Sequence, residues 1–386
     1  MSNGLGTLLV GMGRAGSGLH LPVLRRLRTA ADSAHLFAPA PILAVDPHRR
    51  PGAAVDLRPV SLAEAPRLAD PADTVVHLCT PPTERVAALD TLGRLGYRRI
   101  LLEKPFAADA AGLDELLALR ERHGLDLVVV AQWLGSRLTD RLRAALTSGA
   151  YGPLRTIHVV QRKPRFSRSL AGDGHPTAFD IELPHSLGLC LSLAGPGRVT
   201  GAGGTDMVVG GRVLPRLGTA WLNLQHESGA WTRIRSDLTS PVRERRVTLE
   251  LAHGTLIGHF PGSEADAYAR LTVIDHDGES TELLHDDSLS TFLHRVYAYF
   301  AAGGVSGGAA GGVSGGAAGG VHHPHPDLAV NAQVVRLLDQ AKTIAAQARE
   351  TQAREAQAQV RDAQVLDAQV RDAQPHDVQR RATAAR

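Results

Sequence analysis

The sequence predicts an α/β protein in which a doubly wound parallel sheet is followed by a second domain built on a mostly antiparallel sheet. Two patterns support this fold class. Over the first 150 residues, short and nearly all-apolar runs alternate with helical stretches, as in parallel sheets covered on both faces. Further along, polar–apolar alternation and short turns dominate. With 386 residues, 43% hydrophobic and 21% charged, the chain can form two or three ordinary domains.

The first domain is predicted over residues 1–150. Its strand-like runs are residues 7–11, 42–46, 74–80, 99–103 and 127–131. Its helical stretches are residues 21–28, 84–95, 109–123 and 140–148. Because nearly all-apolar strands alternate with helices, each strand is expected to lie parallel to its neighbours.

The second domain is predicted over residues 151–346 and contains both sheet and helix. Alternating runs predict strands at residues 156–161, 220–225, 232–238, 246–251, 255–260 and 270–275. Helical segments are predicted at residues 182–193, near its start, and 288–300, which closes it. This combination predicts an α+β domain.

The glycine excess is concentrated in one segment. GGVSGGAA occurs twice between residues 303 and 321, and composition predicts a flexible insertion over residues 303–326. Helical spacing returns over residues 327–346. Residues 347–386 are a low-complexity tail whose valines recur every five residues. Because that period matches no helical stripe, a solvated helix or disorder is expected rather than a coiled coil.

Charge and cysteine usage exclude several classes of protein. Lys and Arg total 42 against 39 Asp and Glu, and a net charge of +3 gives no basic surface for nucleic acid. Cys79 and Cys190 form no CxxC motif, which excludes a disulfide scaffold or zinc finger and favours reduced thiols in the cytoplasm. No signal peptide or membrane-spanning run is expected. The cluster His322-His323-Pro324-His325 lacks carboxylate or cysteine partners, so no metal site is predicted.

A glycine-rich turn follows the first predicted strand and opens the first helix. It reads Gly11-Met12-Gly13-Arg14-Ala15-Gly16, a GxGxxG motif. The first glycine permits the tight turn, the second permits close approach of a pyrophosphate, and the third lets helix and strand pack closely. The helix N-terminus favours the phosphate charge. At this position the motif predicts a dinucleotide-binding loop and therefore a Rossmann fold.

The end of the second predicted strand carries an acid. Asp46 can accept hydrogen bonds from the ribose hydroxyls of the adenosine and would repel a 2′-phosphate, which favours NAD(H). Arg49 and Arg50 follow closely and could instead hold that 2′-phosphate, so NADP(H) stays open. A loop insertion over residues 29–41 accounts for the long spacing between the glycine loop and Asp46.

Two further motifs carry a family resemblance. Thr80-Pro81-Pro82 follows the third strand and Glu103-Lys104-Pro105 ends the fourth. Together with the glycine loop, and over roughly residues 5–300 and the helix near residues 328–345, the chain resembles the Gfo/Idh/MocA oxidoreductases. The resemblance implies a Rossmann domain, then an α/β domain with an open, mainly antiparallel sheet, and a nicotinamide between them. It also implies oxidation or reduction of sugars, cyclitols and related polyols, and a homodimer or homotetramer.

The family lysine maps onto Lys104, whose ammonium can stabilise negative charge on the reacting oxygen. The family's Asp-x-x-x-His motif maps less directly. His185 is expected to be the general acid/base, with a pKa suited to neutral pH. Asp180 stands five residues before it and Glu182 three, and either could orient the imidazole because Pro184 disfavours regular helix there.

The resemblance also assigns the remaining candidates. Thr80, Pro81 and Glu103 are expected at the cofactor, and Gln132 and Trp133 beside the nicotinamide or substrate. Lys163 and Arg165 are candidates for binding an anionic or polyhydroxyl substrate. Arg85 stands where the family often has histidine and receives no role. The leading hypothesis is a nicotinamide-dependent polyol dehydrogenase or reductase. The alternatives are an imine or enamine reductase on the same scaffold and a non-catalytic cofactor-binding protein.

Overall fold

The computed structural model describes residues 4–46, 48, 52, 54–172, 175–263, 266–304 and 325–373. Residues 305–324 of the predicted Gly-rich insertion, which include His322 and His323, lie outside this part of the chain, as do Arg49 and Arg50. None of the helices within it combines the length and apolar character needed to cross a membrane.

The first sheet is parallel throughout and has six strands within the described residues. They are β1 (Gly6–Val10), β2 (Ile42–Val45), β3 (Leu57–Pro59), β4 (Thr74–Leu78), β5 (Arg99–Leu102) and β6 (Asp126–Val129). The order is β3-β2-β1-β4-β5-β6, which is the strand order of dinucleotide-binding folds. The predicted α/β class and the Rossmann topology are confirmed. The sequence analysis did not predict β3.

Helices connect and cover this sheet, and more follow it. They are α1 (Leu21–Thr29), α2 (Ala65–Leu68), α3 (Arg85–Arg94), α4 (Ala110–His123), α5 (Arg137–Ser148), α6 (Phe166–Leu170), α7 (Leu183–Ala194), α8 (Ser288–Ala301) and α9 (His325–Ala373). A helical turn, Gly16–His20, precedes α1 directly, so the glycine loop leads into helix as predicted. Asp109 accepts a hydrogen bond from Gly112 N at the start of α4, and Gly124, at φ +58°, ends that helix.

The second sheet is mixed but mainly antiparallel. Its strands are β7 (Leu154–Arg162), β8 (Gly197–Gly204), β11 (Thr219–His226), β12 (Trp231–Asp237), β13 (Glu244–Leu251), β14 (Thr255–His259), β15 (Tyr268–Asp275) and β16 (Gly278–His285). A small hairpin pairs β9 (Met207–Val209) with β10 (Arg212–Leu214). The order is β16-β15-β14-β13-β7-β12-β11-β8, and only β7 and β12 run parallel among these described pairs.

One face of the second sheet packs on helices and the other is open. Buried side chains of α7, including Leu187 and Leu191, join the core formed by alternate residues of β11, β12 and β13. The opposite face carries exposed aromatic side chains such as Trp221 and Trp231. The open, mainly antiparallel sheet that the family resemblance implies is therefore present.

The helix α8 returns the chain to the first sheet. Its apolar residues Phe292, Val296 and Phe300 pack with Leu9 and Leu21 of the first domain. Chain order assigns this segment to the second domain, whereas its packing places it on the first. The reason is that its aromatic face matches the apolar surface left open by β1 and α1.

The helix α9 runs through the predicted boundary at residue 346 without a break. Its first part is buried, with Val334, Leu338 and Ala341 in the core of the second domain. Beyond Arg349, which donates to Asp206 Oδ1 (2.8 Å) and Gly204 O (2.8 Å), its described side chains are exposed. The structure thus describes the start of the low-complexity tail as a solvated helix, one of the two expected states.

Candidate active site

The glycine loop leaves β1 and forms an open cradle. Gly11 has φ +92°, and a Cβ there would lie 2.9 Å from the Cys79 carbonyl carbon. A Cβ on Gly16 would lie 2.0 Å from the Gly11 oxygen, whereas a Cβ on Gly13 would meet nothing within 4 Å. The outer glycines are therefore required by the protein itself. The space over Gly13 is free, as a loop that receives a pyrophosphate requires.

This difference between glycines gives a testable prediction. Gly13→Ala is expected to leave the melting temperature unchanged but to weaken NADH binding at least tenfold, because the methyl group fills the phosphate space. Gly16→Ala, the matched control, is expected to lower the melting temperature markedly because its methyl group overlaps the Gly11 carbonyl. Thermal melts and fluorescence titration with NADH measure both effects. Wild-type affinity in Gly13→Ala would contradict the phosphate assignment.

Asp46 ties the end of β2 to the glycine loop. Its Oδ2 accepts a hydrogen bond from Met12 N (2.7 Å) and its Oδ1 from His48 N (2.8 Å). Two backbone donors fix the carboxylate at the edge of the cleft that contains Gly13. The carboxylate is therefore held beside the glycine loop.

Arg85 fixes the loops that follow β4 and β5. Its side chain is 1% exposed and donates to the carbonyl oxygens of Thr80, Pro105 and Phe106. The Lys104–Pro105 peptide bond is cis. Sequence reasoning gave Arg85 no role. Only its position five residues after Thr80, at the start of a helix, hinted that it could reach both loops.

Lys104 projects from the end of β5 towards the second domain. Its Nζ donates to the Ile181 carbonyl oxygen (2.9 Å), in the turn before α7. Burial lowers the pKa of Lys104 to about 8; Glu103 opposes this shift, and Arg165 and Arg85 add to it. An ammonium with this pKa can donate a hydrogen bond, or a proton, near neutral pH.

His185 lies in the first turn of α7 against an aromatic stack. Its ring stacks on Trp133 (centroids 5.7 Å apart, planes at 25°), and Trp133 stacks on Phe260 (4.0 Å, 11°). Burial, then the positive charges of Lys104 and Arg245, lower the pKa of His185 well below 6.5. The imidazole is therefore neutral at pH 7. Its pKa is lower than the near-neutral value that the sequence predicted.

The two acids expected to orient His185 have other partners. Asp180 accepts a hydrogen bond from Thr177 Oγ1 (2.5 Å) and pairs with Lys342 of α9. Glu182 pairs with Lys163. Among the described residues, neither acid is hydrogen-bonded to His185. The reason is local: α7 begins at Leu183, so both acids lie in the preceding turn rather than on the helical face of His185.

One cleft, with a volume of about 680 Å³, contains most of the predicted site. The predicted residues that line it are Gly11, Gly13, Arg14, Ala15, Asp46, Thr80, Pro81, Glu103, Lys104, Gln132, Lys163, Arg165, Glu182 and His185. Met12, Gly16, Trp133 and Asp180 do not line it. Residues that the sequence analysis did not single out also line it: Cys79, Arg168, His175 and Arg245.

A buried chain of hydrogen bonds begins at Glu103, which lines this cleft, and ends at Thr7 in β1. Glu103 Oε1 contacts His20 Nε2 (2.8 Å), and His20 Nδ1 contacts His77 Nδ1 (2.7 Å). His77 Nε2 contacts the Tyr297 hydroxyl (3.0 Å), which contacts Thr7 Oγ1 (2.7 Å). Tyr297 belongs to α8, so this helix completes a polar network that begins beside Lys104.

Comparison with known proteins establishes the fold. No family model and no curated protein sequence matches the chain. Among solved structures, the 3-ketoreductase KijD10 from Actinomadura kijaniata, in complex with NADP and TDP-benzene, is similar at 15% identity. Its TM-score is 0.69, over 89% of this chain and 98% of that one.

Two further structures show the same similarity. An oxidoreductase from Agrobacterium radiobacter, in complex with NAD+, L-tartaric acid and magnesium, has TM-score 0.67 and 16% identity over 89% of this chain and 96% of its own. The UDP-N-acetylglucosamine 3-dehydrogenase GnnA from Acidithiobacillus ferrooxidans has TM-score 0.64 and 17% identity over 88% and 97%. The chain therefore has the two-sheet fold of these oxidoreductases over nearly their whole length.

Proposed function

We propose that this protein is a nicotinamide-dependent oxidoreductase of the Gfo/Idh/MocA type. It would transfer hydride to or from a C–OH or C=O carbon of a sugar, cyclitol or related polyol. The observation that carries the proposal is that Lys104 and His185 line the same cleft as the open cradle at Gly13. The fold supports it, since KijD10 and GnnA, which share the fold, are a ketoreductase and a sugar-nucleotide dehydrogenase.

The residues of the cradle fit a dinucleotide. The loop from Gly11 to Gly16 would hold the pyrophosphate, Asp46 the ribose, and Thr80 and Pro81 the adjoining part of the cofactor. Glu103, Gln132 and Trp133 are proposed at the nicotinamide end. When bound there, the nicotinamide would supply the hydride donor or acceptor.

Lys104 and His185 would divide the proton chemistry. The Lys104 ammonium donates to the reacting oxygen and stabilises the negative charge that develops on it. The His185 imidazole is unprotonated at pH 7, because its pKa lies well below 6.5, and its free ring nitrogen can accept the hydroxyl proton when the substrate is oxidised. Asp180 and Glu182 act indirectly in this scheme, since they hold Lys342 and Lys163 rather than the imidazole.

Spectrophotometry with the full-length protein tests the proposal. NAD(H) or NADP(H) is added with a panel of cyclitols, sugars and cyclic imines, and the absorbance of the reduced nicotinamide is followed. Turnover of at least one polyol or its keto form is expected. Turnover confined to the imines would instead identify an imine reductase. Cofactor binding with no turnover on the whole panel would identify a non-catalytic binding protein.

The anchored Asp46 predicts the cofactor preference. The kcat/KM with NAD(H) is expected to exceed that with NADP(H), because the carboxylate would face the 2′-phosphate. Asp46→Asn keeps the shape of the side chain and removes its charge. The preference for NAD(H), expressed as the ratio of the two kcat/KM values, is therefore expected to fall roughly tenfold or more. Parallel kinetics with both cofactors measure the ratio. A wild-type preference for NADP(H) would contradict this role of Asp46.

We also propose a cytoplasmic homo-oligomer, a dimer or tetramer, formed through the open face of the second sheet. Exposed side chains on this face include Trp221 (40% exposed), Trp231 (47%) and Tyr268 (58%). Exposed aromatic side chains on an open sheet face are typical of an interface. Light scattering on the purified protein tests this, and a monomer at micromolar concentration would contradict it.

A further inference from the structure

Basic side chains from neighbouring elements gather on the second-domain side of the cleft. Lys163 and Arg165 follow β7, Arg168 lies in α6 and Arg245 lies in β13; we call these four residues the basic wall. They line the same cleft as the cradle and Lys104. Among the described residues that line the second-domain side, Glu182 is the one carboxylate.

The strand pairing explains why these side chains converge. Arg245 of β13 is the cross-strand partner of Gln161 in β7, two residues before Lys163. The Gln161 amide donates to the Glu182 carbonyl oxygen (3.1 Å), which ties this end of the sheet to the turn before α7. The same turn leads into His185, so the basic wall and His185 are neighbours.

The charges of the basic wall act on one another. Burial and the charges of Lys104, Arg245, Arg165 and Arg168 lower the pKa of Lys163 to about 6. Burial likewise lowers the pKa of His175 to about 4, and the charges of Lys104, Arg165 and Arg168 contribute to this shift. The charge of Asp180 opposes it. A cluster of basic groups that lowers the pKa values of its titratable neighbours within a cleft is typical of a functional site.

We infer that the substrate is an anionic polyol whose carboxylate or phosphate group binds to the basic wall while its reacting carbon lies between Lys104 and His185. This inference rests on the proposed function. The planar guanidinium groups of Arg165, Arg168 and Arg245 suit both kinds of oxyanion, since they can donate two parallel hydrogen bonds. Because the basic wall adjoins His185, one small molecule can reach both.

Isothermal titration calorimetry on the full-length protein saturated with NADH tests the inference. The probes are glucuronate, glucose 6-phosphate and glucose, which share one ring and differ in charge. At least one acid is expected to bind tenfold or more tightly than glucose. Arg245→Gln is expected to weaken that binding at least tenfold. Arg243→Gln, an exposed matched control two residues earlier, is expected to change it less than twofold.

The outcomes separate the inference from the proposed function. Preference for glucuronate identifies a carboxylate ligand, and preference for glucose 6-phosphate a phosphate ligand. Equal binding of acids and glucose, binding of neither acid, or equal losses in the two arginine variants would overturn the inference. In each of these cases NADH binding and turnover of a neutral polyol would still support the proposed function, whereas loss of NADH binding would contradict that function.

A second inference comes from the buried chain that starts at Glu103. As a carboxylate, Glu103 accepts from His20 Nε2, so that nitrogen carries a proton. The two Nδ1 atoms of His20 and His77 share one proton. Burial lowers the pKa of His20, but Cys79 and Glu103 outweigh this and raise it to about 10. Burial, and after it the charge of His20, lower the pKa of His77. His20 is therefore the donor in this pair, and neutral His77 donates to Tyr297.

We propose that His20 is a positioning residue for Lys104. Its Nε2–H donates to Glu103 Oε1 (2.8 Å) and so favours the carboxylate form of Glu103, whose second oxygen accepts from the backbone N of Lys104 (3.1 Å). The Glu103 charge in turn favours the ammonium form of Lys104, and Asp180 adds to this effect. The positive charges of Arg165 and Arg85 oppose it. His20 thus acts on the reaction through Glu103 without touching the substrate.

Two conservative variants test this role. Asn places its amide near the Nδ1 position and loses the contact with Glu103, whereas Gln places its amide near Nε2 and retains it. His20→Asn is expected to lower the pKa of Lys104 by about one unit, a tenfold change in its proton affinity. In His20→Gln the pKa of Lys104 is expected to return most of the way to its wild-type value. Carbon-13 NMR of labelled lysine reads this pKa directly, since the chain has only three lysines. Lower melting temperatures with an unchanged Lys104 pKa in both variants would show a purely structural role.

Discussion

Replacing His185 with asparagine is expected to lower kcat by about 10²–10⁴-fold, the usual contribution of a positioned general base. The cofactor Kd is expected to stay within twofold of wild type, because the glycine loop and Asp46 are untouched. The aromatic stack with Trp133 and Phe260 fixes the imidazole ring at the cleft. Steady-state kinetics with a turned-over polyol and fluorescence titration with NADH measure the two quantities.

The pH dependence of polyol oxidation tests the lowered pKa of His185. Because burial and the charge of Lys104 lower the pKa of His185 well below 6.5, the imidazole stays unprotonated as the pH falls through 6.5. Polyol oxidation is therefore expected to show no loss of kcat near pH 6.5. His158→Asn is the matched control, since His158 lies in the strand β7 and does not line the cleft. Near-wild-type turnover in His185→Asn would refute the role.

Regular local patterns made most of the first sheet predictable. Apolar runs of five to seven residues predicted β1, β2, β4, β5 and β6 to within two residues at each end. The strand β3 has only three residues, of which one is buried, so it carries no period to detect. The strands β8 and β16 also lack a detectable period. The β8 sequence GRVTGAGG is rich in glycine, and the exposed edge strand β16 is largely polar. Their places are set by pairing with neighbouring strands.

Tertiary contacts decided what the sequence could not show at the site. The motif positions placed Lys104 and His185 in one cleft, as expected from the resemblance. The partners of Asp180 and Glu182 depended instead on Lys342, which lies far along the chain in α9, and on Lys163. The lowered pKa of His185 likewise comes from burial and from cations contributed by other elements, which no local motif encodes.

Replacing Lys104 with alanine is expected to lower kcat by about 10²–10³-fold, the cost of removing a hydrogen-bond donor aimed at a developing oxyanion. The melting temperature is expected to change little, because the side chain gives up one hydrogen bond, to the Ile181 carbonyl oxygen (2.9 Å). Lys342→Ala is the control for loss of a lysine, since Lys342 lies in α9, pairs with Asp180 and does not line the cleft.

The alkaline limb of the pH profile identifies the Lys104 ammonium as the active form. A lysine loses its positive charge as the pH rises through its pKa, and burial lowers that of Lys104 to about 8. The kcat is therefore expected to be highest below pH 8 and to fall above it. Lys104→Arg keeps a charge at every accessible pH, so its residual activity is expected to lack this limb. An alkaline limb that persists in Lys104→Arg would assign the titration to another group, because the guanidinium does not lose its proton in this range.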